Sequence, residues 1–262
     1  MTVRFKKYIV ETVGTQGLEY EKKVYKSMVD AGISGLNVGD KPAAGFSNQG
    51  AGDIEASYNG KAFNIEIKLS SKEQMGGTSF RYDMDTNTFT PTKEMDLDDL
   101  DLFMPIMKQK AKDIDNYIKA SHQEEPKEFH KQNRGVPIKV SVETRNTLKK
   151  KGLTGKIATN IKAPISFIIK HYNKKGVYYI NIGGAGLFYM GKNPFKLDVP
   201  ELKAEIQVEL GLRFGGSKLS FPTDPKTPAR TAGLRIQGRM LTKAKSKYNL
   251  DNPTDVKKLF GA

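Results

Sequence analysis

Residues 52–70 read GDIEASYNGKAFNIEIKLS, and this stretch predicts a β-hairpin. Asn59-Gly60 lies near its middle, with alternating apolar and polar residues on both sides. Asn-Gly is a strong signal for a two-residue type I′ turn, because both central residues of that turn need a positive φ angle. We therefore expect one strand over 53–58 and a second over 61–69.

The two-residue turn also predicts which residues face each other across the hairpin. Tyr58 would face Lys61, and the same register carried outward would bring Asp53 opposite Glu66. Successive side chains of a strand point to opposite faces. The apolar face then carries Ile54, Ala56, Tyr58, Phe63, Ile65, Ile67 and Leu69, and the polar face carries Asp53, Glu55, Ser57, Asn64, Glu66 and Lys68.

The polar face of the hairpin predicts a metal-dependent hydrolytic site. Carboxylates that face each other across a sheet have Cβ atoms about 4.5–5.5 Å apart and repel each other. A divalent cation between them would reverse that effect, and Mg²⁺ binds one or two carboxylates while keeping several waters. Lys68 lies two residues beyond Glu66, within reach of a water or a phosphate. Asp53, Glu66 and Lys68 are therefore candidates for metal-assisted phosphodiester hydrolysis.

The charge distribution favours a polyanionic partner. The chain has 262 residues, of which 37% are hydrophobic and 27% charged, and its net charge is +14. Residues 126–262 carry 27 Lys and Arg against 9 Asp and Glu, whereas residues 1–125 carry 16 against 20. Such a basic half is typical of nucleic-acid binding. The alternative is a lysine-rich surface that only keeps the protein soluble.

Several classes of site and location are excluded or disfavoured by composition. Cysteine is absent, and His122, His130 and His171 are scattered, so no zinc site or disulfide can be drawn. No apolar run approaches 18 residues, and no apolar stretch follows the basic residues 1–7. We expect a cytoplasmic protein without a membrane partner, in the host cytoplasm if the source is a virus.

Apolar spacing and turn residues predict the remaining elements. Helices are expected over 17–31, from Leu97 to about Ala120, and from a Ser141 cap to Gly152. Strands are expected over 165–172, 177–182, 206–214 and 234–240, the first two joined as a hairpin by residues 173–176. The glycine-rich residues 183–186 are interpreted as a β-turn, since no helix is expected to follow them.

Gly52-Asp53 followed across a hairpin by Glu66-Ile67-Lys68 resembles the signature of the PD-(D/E)XK nuclease superfamily. That superfamily includes restriction endonucleases, archaeal Holliday-junction resolvases and phage recombination exonucleases. The resemblance covers residues 17–75, and Gly52 stands where the signature has proline. It implies an α/β, restriction-endonuclease-like core, a mixed central sheet flanked by helices. We expect this core over 1–190 and a basic, β-rich, DNA-contacting elaboration over 191–262, unless the two form one continuous domain.

The resemblance also implies a mechanism. Asp53, Glu66 and the Ile67 carbonyl would hold Mg²⁺, for which Mn²⁺ could substitute, and Glu21 would add a ligand for one or two ions. Lys68 would orient and activate water. In-line attack on the phosphodiester would leave a 5′-phosphate and a 3′-hydroxyl.

Further residues are candidates for supporting roles. Glu21 is preferred to Glu19 as the helix ligand, because it shares the apolar face of the helix with Val24 and Met28. Glu55 shares the polar face of the hairpin as a secondary candidate. Gln74 follows the motif, where similar glutamines contact the substrate backbone in exonuclease-like relatives, although Ser70 and Ser71 are equally placed.

The basic strands near the C-terminus predict DNA contacts. Arg213, Arg235 and Arg239 lie on the polar sides of the strands expected over 206–214 and 234–240. Contacts from such residues to phosphates would give affinity without sequence specificity. A ladder of surface charges that includes Glu209 is the alternative.

Together these features favour a Mg²⁺-dependent DNA endonuclease of the restriction or junction-resolving type. A recombination or repair exonuclease of the same superfamily is the second hypothesis. A non-catalytic DNA-binding protein, or a phage packaging protein, is the third, although neither needs the three polar residues on one face. Many endonucleases dimerise to cut both strands, so a homodimer is the corresponding oligomeric expectation.

Overall fold

The computed structural model shows a mixed α/β protein, as expected. It describes residues 3–39, 52–70, 74–83, 85–92, 97–124, 137–139, 141–154, 156–163, 165–203, 207–213, 218–220, 231–241 and 244–261. Helices α1 to α6 cover Val3–Asp30, Leu97–Gln109, Ala111–Glu124, Val142–Lys150, Ile165–Asn173 and Pro253–Phe260. Strands β1 to β12 cover Leu36–Val38, Ile54–Tyr58, Lys61–Lys68, Gln74–Asp83, Thr88–Pro91, Pro137–Lys139, Lys156–Ala163, Val177–Ile182, Gly186–Tyr189, Gln207–Arg213, Lys218–Ser220 and Thr231–Leu241.

The chain folds into two compact units, each built from separate stretches of sequence. Unit 1 comprises Met1–Gln74, Pro164–Val208 and Met240–Ala262, and unit 2 comprises Met75–Ala163 and Glu209–Arg239. The boundary expected at residue 190 lies inside unit 1. Strands distant in sequence pair within each unit, so a unit is not one continuous segment.

The hairpin predicted from Asn59-Gly60 forms in unit 1 with the expected register. β2 and β3 pair antiparallel from Tyr58↔Lys61 to Ile54↔Ile65. Asn59 has a φ of 49° and Gly60 a φ of 78°, the positive values that a type I′ turn needs. The turn and the register over these residues are thus confirmed, whereas Asp53 precedes β2 and its predicted pairing with Glu66 is not part of the ladder.

The sheet of unit 1 is mixed, with the strand order β1-β2-β3-β8-β9. β3 is central, antiparallel to β2 and parallel to β8. The turn expected over residues 183–186 is confirmed, because it joins β8 to the antiparallel β9. A parallel strand pair requires a crossover connection, usually with a helix, and α5 directly precedes β8.

The expectation of a strand over 165–172 and a hairpin over 173–176 is wrong, because this segment is helix α5. Ile165, Ile168 and Tyr172 are buried at helical spacing. A short apolar run is compatible with either a buried strand or a helix. Here the segment forms a helix, because it belongs to the crossover connection that the parallel pair of β3 and β8 requires.

The apolar face of the hairpin forms the core of unit 1 with α1 and α6. Its buried members include Ile54, Phe63, Ile65 and Ile67 from the hairpin, Tyr20, Val24 and Met28 from α1, and Val256 and Phe260 from α6. Leu18, also on α1, is 37% exposed and lies outside this core. The buried amide of Asn181 links three elements, since it donates to the Tyr20 hydroxyl at 3.1 Å and accepts from the Leu250 N–H at 3.0 Å.

Unit 2 contains a second sheet and helices α2 to α4. The strand order is β5-β4-β12-β10-β7, and β11 pairs with both β12 and β6. The expected strands near 206–214 and 234–240 are confirmed as β10 and β12. The single helix expected from Leu97 to Ala120 is instead α2 and α3, which are separated at Lys110.

One local prediction concerns the start of α4. Ser141 caps α4 as expected, because its hydroxyl accepts from the Thr144 N–H at 3.1 Å.

Within the described ranges, none of the helices combines the length and apolar character that a membrane crossing requires.

Candidate active site

Asp53 lies just before β2, where the regular pairing of the hairpin ends. Its N–H donates to the Ile65 carbonyl at 2.9 Å. Its carboxylate Oδ2 accepts from the Ile67 N–H at 2.7 Å. These two bonds hold the Asp53 side chain against β3, between the positions of Glu66 and Lys68.

Gly52 explains how Asp53 can approach β3 so closely. A Cβ atom at Gly52 would lie 2.9 Å from the Ile65 carbonyl oxygen and 3.0 Å from the Asn64 Cβ. These atoms belong to a central strand, so a side chain at position 52 would displace the chain that carries Asp53. The close packing is a physical reason for glycine at the position where the PD-(D/E)XK signature has proline.

Glu66 is a buried carboxylate with two polar partners on one oxygen. The residue is 8% exposed. Its Oε1 accepts a hydrogen bond of 2.9 Å from the Tyr172 hydroxyl and forms an ion pair with the Lys68 ammonium, whose side chain is 14% exposed. Buried charges are tolerated when they are paired and hydrogen-bonded. Glu66 meets both conditions.

The pKa values of this cluster show how its charges are coupled. Burial by itself lowers the pKa of Lys68, but the negative charges that Tyr172, Glu66 and Asp53 carry when ionised outweigh burial and raise that pKa above its ordinary value. Burial raises the pKa of Tyr172, so its phenol is a neutral donor near pH 7. Lys68 is therefore an ammonium that interacts with both predicted carboxylates.

Tyr172 was not among the residues predicted from the sequence, because its segment was assigned to a strand. Its spacing from Ile165 and Ile168 was the available signal. The same end of α5 carries positive charge, with Lys175 Nζ 5.8 Å from the centre of the Tyr172 ring. Burial, Lys175 and Lys174 lower the pKa of the neighbouring His171 to about 4, although Glu66 acts in the opposite direction. This end of α5 thus places positive charge beside Tyr172 and His171.

The two candidate acids of α1 differ in their surroundings. Glu21 is half-buried, and its Oε2 is shielded from solvent, whereas Glu19 is exposed. This difference matches the expected inward orientation of Glu21, and its role as a ligand stays a prediction. Among the described residues, no three His, Asp or Glu side chains form a metal-holding group.

The secondary candidates occupy several strands. Glu55 is exposed on β2, and Gln74 begins β4. Arg213 lies on β10, and Arg235 and Arg239 lie on β12. The side chains of Gln74 and of the three arginines lie outside the described part of the structure, so their predicted contacts stay predictions.

Comparison with protein-family models, with curated proteins and with solved structures finds no match for this chain. The chemistry of the site is therefore inferred from its own donors. Asp53 and Glu66 supply the hard oxygen atoms that Mg²⁺ prefers. The Lys68 ammonium on Glu66 also marks a place where a positive charge is accommodated. In donor chemistry and in charge, these residues fit a divalent cation.

Proposed function

We propose that this protein is a Mg²⁺-dependent DNA endonuclease that hydrolyses phosphodiester bonds. The observation that carries the proposal is the cluster on β3. Asp53 is bonded to the Ile67 N–H, and the ammonium of Lys68 is paired with the buried Glu66. A buried carboxylate paired with a lysine, beside a second carboxylate bonded to the same strand, suits phosphoryl chemistry better than stability, because an apolar group in place of Glu66 would stabilise the fold as well.

The fold of unit 1 supports a restriction-endonuclease-like core as part of this proposal. Its central sheet is mixed, and β3 carries Glu66 and Lys68 between an antiparallel and a parallel neighbour. α1 precedes the hairpin, and α5 provides the crossover to β8. The arrangement agrees with the mixed, helix-flanked sheet that the sequence resemblance implies.

Each residue of the cluster has a role in the proposed reaction. Asp53, Glu66 and the Ile67 carbonyl would hold Mg²⁺, which when bound would polarise a phosphoryl oxygen and neutralise developing charge. Lys68 orients the attacking water and offsets negative charge at the phosphate. The products are a 5′-phosphate and a 3′-hydroxyl.

Charge supports DNA as the substrate. The net charge is +14, and Lys175 lies over the ring of Tyr172 at the edge of the site. Lysine contacts with phosphates give sequence-independent affinity that falls as salt rises. Arg213, Arg235 and Arg239 are proposed to add contacts of the same kind.

A cleavage assay tests the proposal. The full-length protein is incubated with closed circular DNA, linear duplex and a four-way junction, in Mg²⁺, in Mn²⁺ and in EDTA. We expect cleavage in both metals, none in EDTA, and products with 5′-phosphate ends. Cleavage of closed circles would exclude an obligate exonuclease, and selective cutting of the junction would indicate a resolvase.

Two variants provide matched controls for that assay. Asp53→Asn keeps an oxygen acceptor for the Ile67 N–H but removes the negative charge, so it should abolish cleavage. Asp30→Asn removes a charge from an exposed position at the end of α1 and should cleave normally. The enzymatic proposal would be rejected if the wild-type protein cut no DNA in any metal, and binding without cutting would indicate a DNA-binding protein.

A further inference from the structure

The roles proposed above leave the buried hydroxyl of Tyr172 unused. We propose that Tyr172 is a positioning residue, which holds Glu66 through Oε1 so that this carboxylate keeps its orientation when Lys68 leaves it for the attacking water. The side chain would thereby set the affinity of the site for its divalent cation. This inference rests on the proposed function.

The geometry points to Tyr172 because both donors meet on one oxygen. The Tyr172 hydroxyl and the Lys68 ammonium both contact Oε1 of Glu66, so neither contact involves Oε2. Tyr172 is 3% exposed and belongs to α5, which is also anchored by the buried Ile165 and Ile168. Lys68 reaches the same oxygen through four methylene groups. The tyrosine is therefore the fixed partner of Glu66, and the lysine is the partner that can move.

Glu66 needs a fixed partner because of its burial. If Lys68 turns to a water or phosphate, Oε1 loses its ion pair inside the protein. A buried carboxylate oxygen without a donor is costly. The hydroxyl of Tyr172 keeps that oxygen satisfied and, being neutral, does not repel an incoming cation. Outer partners that orient metal-binding carboxylates change metal affinity by about 10–100-fold when they are removed.

Tyr179 offers a matched control for the loss of a buried hydroxyl. It lies on β8 of the same unit, it is 1% exposed, and its hydroxyl donates to Asn193 Oδ1 at 2.7 Å. Its ring packs edge-on against Phe63 in the apolar core. Tyr179→Phe removes a buried hydroxyl as Tyr172→Phe does, but this hydroxyl bonds Asn193 and the Phe195 N–H and contacts no predicted ligand.

The experiment measures binding of Mn²⁺ to the full-length chain by calorimetry, without DNA. Tyr172→Phe should weaken Mn²⁺ binding by about 10–100-fold, while Tyr179→Phe should leave it unchanged. In cleavage assays, Tyr172→Phe should raise the Mg²⁺ concentration for half-maximal rate, with KM for DNA unchanged and the rate largely recovered at high Mg²⁺. A purely structural role would lower the rate at every Mg²⁺ concentration.

The possible failures are distinguishable. If wild-type protein binds Mn²⁺, Asp53→Asn abolishes binding and Tyr172→Phe binds as tightly as wild type, the positioning role is rejected and the proposed function stands. Equal weakening in Tyr179→Phe also rejects the role, since it would indicate general loosening. No Mn²⁺ binding by the wild type would reject the proposed function as well. The rise in melting temperature on adding Mn²⁺ reports the same affinities if Tyr172→Phe is less stable.

Discussion

Ile65 and Glu66 lie on opposite faces of β3 and are both buried, but by different means. Ile65 is 1% exposed, and its neighbour Glu66, on the opposite face, is 8% exposed. Ile65 packs in the apolar core of unit 1, whereas Glu66 is enclosed by Tyr172 and Lys68. Alternation of apolar and polar residues usually marks a strand with one face in the core and the other in water. In β3, Glu66 on the polar face is enclosed as well.

Burial of Ile65 and burial of Glu66 have different effects on the free energy of folding. Burial of Ile65 stabilises the fold by removing apolar surface from water, at about 25 cal/mol per Å². Burial of Glu66 costs free energy that its ion pair and hydrogen bond offset at best. One face thus contributes to stability, while the other holds a charged carboxylate in a shielded place.

The largest expected effect is on catalysis, at Glu66. Glu66→Gln keeps an oxygen that can accept from Tyr172 but removes the charge a cation requires. Cleavage should fall by roughly 10³-fold, equivalent to about 4 kcal/mol of transition-state stabilisation. The measurement is single-turnover cleavage at saturating Mg²⁺, with circular dichroism to verify the fold. A cleavage rate equal to that of the wild type would remove Glu66 from the site.

The next effect is on stability, at Ile65. Ile65→Ala leaves a cavity in the core and should lower the free energy of unfolding by about 3 kcal/mol. Urea denaturation measures this change, and cleavage per folded molecule should not change. Val29→Ala is the control, because Val29 is 49% exposed and its loss should cost less than about 0.5 kcal/mol. Equal losses in the two variants would contradict the core assignment.

A smaller effect concerns pH and His171, beside the polar face. Its pKa is lowered from 6.5 to about 4, first by burial and then by Lys175. The unfolded chain therefore binds the proton more readily, and stability is lost as pH falls from about 6.5 towards 4. The loss should be about 2 kcal/mol after allowance for partial exposure. His171→Gln should remove this component, measured as the difference between the wild-type and variant unfolding curves across that range.

The smallest effect is expected at Glu21. The resemblance to PD-(D/E)XK nucleases implies that this half-buried acid adds an oxygen near the metal. Glu21→Gln should reduce cleavage by about tenfold at limiting Mg²⁺, or about 1.4 kcal/mol. Glu19→Gln, which changes an exposed acid on the same helix, should have no effect. If both variants behave alike, Glu21 has no special role.

Locally determined features were predictable from the sequence. The turn at Asn59-Gly60 was predictable, because positive φ angles strongly restrict residue type. The helix cap at Ser141 was also predictable, because its hydroxyl accepts from an unpaired backbone N–H in the first turn of the helix, three residues away. The secondary structure of residues 165–172 was not predictable, because a short apolar run is compatible with a strand or a helix until the elements packed against it are known.

The sequence by itself determined the hairpin, its register, and the placement of Glu66 and Lys68 on one face of β3. These follow from the two-residue period of a strand and from a turn that only a few residues can form. Only the tertiary structure decided that Glu66 on this face would be enclosed. Tyr172 contacts Glu66 across 106 positions of the chain. That contact depends on the packing of α5 beside β8, and no local pattern of residues specifies it.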